Sequence, residues 1–140
     1  MTRDYRPNAR ESAVISRLDH AKESQRSNAL NLLRQHLDEL SSLMAMKLIE
    51  ERLIETTSLD RLASQINGCL QTILEAEEFE VQFATANIRT LVARPHFISL
   101  YVTAFIIDKL IDDKCIVEVY GTDEDIYRSV NAQVSRFIPL

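Results

Sequence analysis

Apolar residues recur at helical spacing through most of this chain. Leu30, Leu33, Leu37, Leu40, Met44 and Leu48 step by threes and fours, with Arg34, Asp38, Glu39 and Lys47 off the stripe, which predicts an amphipathic helix. The stripe covers too few heptads for a self-standing coiled coil, so it predicts packing within a bundle. Ahead of it, Val14, Leu18 and Ala21 share one face of a first helix that ends near the polar run Ser24, Gln25, Ser27 and Asn28, unless the helix continues through that run. Downstream, Leu59, Leu62, Ile66, Leu70, Ile73 and Leu74 predict a helix capped by Thr57 or Ser58. Ile126, Val130, Val134 and Phe137 predict a last helix, capped by Thr122 and stopped by Pro139.

Three stretches read differently. Phe79, Val81 and Phe83 alternate with Glu78, Glu80 and Gln82, the period of a half-buried strand, before a short helix over 85–92 that stops ahead of Pro95. Phe79, Phe83 and Ala86 also recur at helical spacing, which leaves a helix as the alternative. From Phe97 to Ile111 the apolar residues lie around the whole circumference of a helix. Such a helix must be buried on most sides, at the centre of the fold or between subunits. Cys115 to Tyr120 is rich in β-branched residues and predicts a strand broken by Gly121.

One segment has an echo. Lys47-Leu48-Ile49-Glu50-Glu51-Arg52 resembles Lys109-Leu110-Ile111-Asp112-Asp113-Lys114, each followed by an apolar pair and a Thr with Asp three residues on, Thr57 with Asp60 and Thr122 with Asp125. A duplication would give two helix-strand-helix units, at about 30–78 and 96–138, with Leu53-Ile54 beside Cys115 to Tyr120. The alternative is coincidence, since such a motif is an ordinary way to end an amphipathic helix. The fold class expected is mainly α: a bundle-like single domain over 11–140 with a two- or three-stranded β element, preceded by a flexible arm over 1–10.

Composition adds exclusions. With only two Gly and three Pro, the chain has few breakers, which favours long helices over many short strands. The net charge of −5 divides unevenly, +3 over residues 1–35 and −8 over the rest. An acidic body disfavours nucleic-acid phosphates, while Arg3, Arg6, Arg10 and Arg17 on the arm are candidate phosphate contacts. No apolar run approaches the roughly 20 residues that span a bilayer, so no membrane partner is expected. No secretory signal is read at the start, so Cys69 and Cys115 are expected to be reduced, buried thiols in the cytoplasm.

Recognisable chemistry is scarce. His20, His36 and His96 lie far from one another and from either Cys, so zinc-finger spacings and the Glu-x-x-His of di-iron bundles are absent. Glycines only at 68 and 121 exclude the usual phosphate loops. Asp123-Glu124-Asp125 is read as the dipole-matched start of a helix. No catalytic, metal or cofactor residues are therefore assigned, and no enzyme is expected. The expectation is a protein of protein-protein contacts, a self-associating adaptor or a regulatory or structural protein, with Phe97, Tyr101, Phe105, Ile106 and Leu110 at the interface. The alternative is a small nucleic-acid-associated regulator using the basic arm.

Overall fold

A computed structural model describes residues 23–139, so the arm, its four arginines and the stripe of Val14, Leu18 and Ala21 lie outside the described residues. The chain divides into two compact units, 1–31 and 32–140. Helix α1 covers residues 23–35, of which 23–31 belong to the first unit. The polar run Ser24 to Asn28 does not end this helix. Ser24, Gln25, Ser27 and Asn28 are exposed there, and polar side chains facing water oppose helix far less than Gly or Pro would.

The larger unit is mainly helical, with one small antiparallel sheet. A turn at His36 (φ −114°, ψ 19°) interrupts the long leucine stripe before α2, Leu37–Glu50, which buries Leu40, Met44, Ala45 and Leu48. Helix α2 stops without a glycine. Leu53 N–H donates to Leu48 O and Arg52 N–H to Ile49 O, both at 3.0 Å, while Arg52 adopts φ 59°. This is a Schellman turn, and it sends the chain straight into β1, Ile54–Thr56.

Strand β1 pairs antiparallel with β2, Ile116–Val119, matching Ile54 with Val119, Glu55 with Glu118 and Thr56 with Ile116. Leu53 O also accepts Tyr120 N–H at 2.8 Å and Gly121 N–H at 3.1 Å, so Leu53-Ile54 lies beside Cys115 to Tyr120, the place a duplication would give it. Gly121 is needed for this approach, because a Cβ there would sit 2.9 Å from Leu53 Cδ2. Thr57 spends its N–H on Cys115 O at 2.8 Å, so the cap of α3, Leu59–Glu75, is Ser58, whose Oγ accepts from Arg61 N–H. Thr122 and Asp125 form the expected capping box at the start of α6, Asp123–Phe137.

Between these lie α4, Glu78–Arg89, and α5, Phe97–Asp108. The strand reading of Phe79, Val81 and Phe83 is wrong, and the helical alternative holds. The two-residue alternation arises because Glu78 and Glu80 occupy the first helical turn, where acids complement the dipole. Helix α5 is the centre of the larger unit, packed against α3, α4, α6 and the 3₁₀ turn Leu110–Asp112, while α2 packs on α3 and α6. Ile98, Leu100, Val102 and Ile106 are buried, each contributing roughly 1.5–3 kcal/mol. The helix that is apolar on all sides is thus covered over most of its circumference by the larger unit, with Phe97, Tyr101 and Phe105 half-buried along one flank.

Candidate interaction surface

Helix α4 has two opposite faces, each set by spacing. Val81, Thr85 and Ile88 turn inward and are buried; Ile88 packs with Leu100 and Ala104 of α5 and Tyr127 of α6. Thr85 is tolerated inside because its hydroxyl donates to Val81 O at 2.8 Å within the same helix. At 100° per residue, the direction opposite that face falls between Phe79 and Phe83. They are 76% and 79% exposed, which places both rings almost wholly in water. Ala86 and Thr90 continue the same stripe and are exposed too. Acidic Glu77, Glu78 and Glu80 mark its amino end and Arg89 its carboxyl end.

The residues expected at an interface are distributed differently. Ile106 and Leu110 are 0% and 1% exposed and belong to the core, so they present no surface. Phe97, Tyr101 and Phe105 are half-buried along α5. A half-buried strand would leave Phe79 and Phe83 no exposed face. Their spacing of four, with Ala86 three residues further on, is the signal in the sequence for this stripe.

His96, Asp113 and the two thiols of the larger unit have structural explanations. His96 caps α5: its Nδ1 accepts Ile98 N–H at 3.3 Å, its own N–H donates to the Tyr127 hydroxyl at 3.0 Å, and its ring stacks on Phe97. Burial lowers its pKa from the ordinary 6.5, in keeping with a ring nitrogen that must stay unprotonated to accept. Burial pushes the Cys69 thiol up to about 12, and raises that of Cys115 as well, so neither is an activated nucleophile. Asp113 accepts Cys115 N–H at 3.0 Å and pairs with Arg61 at 3.1 Å; these contacts hold its carboxyl below the usual range and tie β2 to the start of α3. Among the described residues, no cluster of three His, Cys, Asp or Glu side chains is arranged to hold a metal ion, and no helix is long and apolar enough to cross a membrane. Comparison of the chain with protein-family models, curated proteins and solved structures gives no match.

Proposed function

We propose that this chain works by protein-protein contact, associating with itself through the outward face of α4, as an adaptor or a regulatory or structural protein rather than a catalyst. The observation that carries this reading is the exposure of Phe79 and Phe83, the two most exposed large apolar side chains among the described residues. Scattered single apolar residues on a surface need no explanation, but two adjacent aromatic rings on one helical face are the composition of an interface centre. Two free, buried thiols fit a reducing compartment, and the cytoplasm is proposed on that ground.

Sedimentation velocity over a range of concentrations tests the reading. Wild type is expected to shift from monomer to dimer as concentration rises. Phe79→Glu/Phe83→Glu is expected to stay monomeric while keeping the wild-type helical circular dichroism. A wild type that is monomeric throughout overturns the proposal. A double variant that still dimerises overturns the assignment to α4.

A further inference from the structure

We infer that two copies of the chain pair α4 against α4 in antiparallel orientation about a two-fold axis, an arrangement that rests on the self-association proposed above. The first support is shape. The outward stripe reads Phe79, Phe83, Ala86 and Thr90, in steps of four, three and four, bulky towards the amino end and small towards the carboxyl end. Antiparallel pairing seats Phe83 over the partner's Ala86 and Phe79 over the partner's Thr90, and the two-fold axis repeats both contacts. A parallel pair would oppose ring to ring at one end and leave a gap over the small residues at the other.

Charge gives the same orientation. Glu77, Glu78 and Glu80 cluster at the amino end and Arg89 lies in the last turn. In an antiparallel pair each acidic end lies near the partner's basic end, and the helix dipoles oppose. A parallel pair would stack acid on acid.

Area sets the size class. A Phe side chain buries roughly 150–250 Å², so the exposed parts of four rings supply about 600 Å² across a symmetric pair. Specific interfaces begin near about 1,200 Å² in total, and the flanking Gln82, Ala86, Asn87 and Thr90 must provide the rest. The result is an interface at the small end of the range, in the class of transient contacts, one that responds to concentration.

Nitroxide labels test the orientation. Cys69 and Cys115 are buried, so Glu77→Cys and Gln82→Cys accept label selectively, and Glu77 caps α4 without a side-chain hydrogen bond that would be lost. With a rise of 1.5 Å per residue and helix axes about 10 Å apart, backbone separations are expected near about 25 Å for position 77 and about 12 Å for position 82. Phe83→Glu is expected to weaken the pair at least a hundredfold and abolish both distances. Equal, short distances at both positions in a dimer that depends on Phe83 overturn the antiparallel arrangement and leave the self-association reading intact. A monomer at every concentration overturns both.

Discussion

Ile106 and Phe83 are both large apolar residues on neighbouring helices, and truncating each to alanine separates the core from the surface of this protein. Ile106 is fully buried on α5, the helix enclosed by α3, α4 and α6. Removing its branched side chain loses transfer energy and leaves a cavity that rigid neighbours fill only in part, about 2–5 kcal/mol for such a truncation. A domain of this kind is stable by roughly 5–15 kcal/mol in total, so Ile106→Ala should remove a large share of it. Phe83, at 79% exposure, has little to lose in the monomer. Its loss should change stability by no more than about 0.5 kcal/mol, and alanine's better helix propensity offsets part of that. Urea unfolding followed by circular dichroism measures both, at concentrations low enough that association adds nothing to apparent stability. If Phe83→Ala costs the monomer more than about 2 kcal/mol, the ring belongs to the core and the outward face of α4 does not exist. If Ile106→Ala costs nothing, α5 is not the centre.

Two further outcomes follow from local geometry. Arg52 holds a left-handed conformation (φ 59°) at the end of α2, a position where a Cβ is penalised and glycine is not, so Arg52→Gly should raise stability by about 0.5–1 kcal/mol, read as a higher urea midpoint. Burial holds His96 below its ordinary pKa of 6.5, so the unfolded chain binds its proton more readily than the folded one. The stabilisation from the neutral ring is therefore present above pH 6.5 and lost as pH falls through the lower folded value. His96→Asn, which keeps a capping acceptor but does not titrate, should flatten this part of the stability profile; an unchanged slope would show that His96 is not its source.

Much of the architecture was legible because it rests on local chemistry. The stripes of α3 and α6, the Thr122 capping box and the strand before Gly121 all follow from spacing, side-chain acceptors and β-branched content, while the place of Leu53-Ile54 beside that strand is suggested only by the echo of one segment in the other. Other features depended on facts no local pattern carries. The cap fell to Ser58 rather than Thr57 because Thr57 is held by Cys115, 58 residues away in sequence. Phe79 and Phe83 fit both periods, and alternation adds Val81 to their face. The helix separates them, burying Val81 and exposing the rings, and only the position of α5 beneath α4 decides which face is inner.

That last decision also sets which apolar side chains stay exposed. A helix too apolar for water requires cover, and the sequence alone allows the cover to come from the fold or from another molecule. The fold supplies most of it for α5, with Ile106 and Leu110 sealed inside and Phe97, Tyr101 and Phe105 half-buried. The same requirement then applies to whatever apolar surface folding leaves behind. Phe79 and Phe83 are the most exposed part of that surface among the described residues, beside single exposed residues such as Val117 and Tyr120, and rotating α4 to bury them would expose Val81 and Ile88 and withdraw Ile88 from its contacts with Leu100, Ala104 and Tyr127. One helix of 3.6 residues per turn cannot turn both faces to the same core, so the second apolar face of α4 can be covered only from outside the larger unit. A second copy offers a matching face by symmetry, so the association proposed above belongs on α4 and not on the more apolar α5.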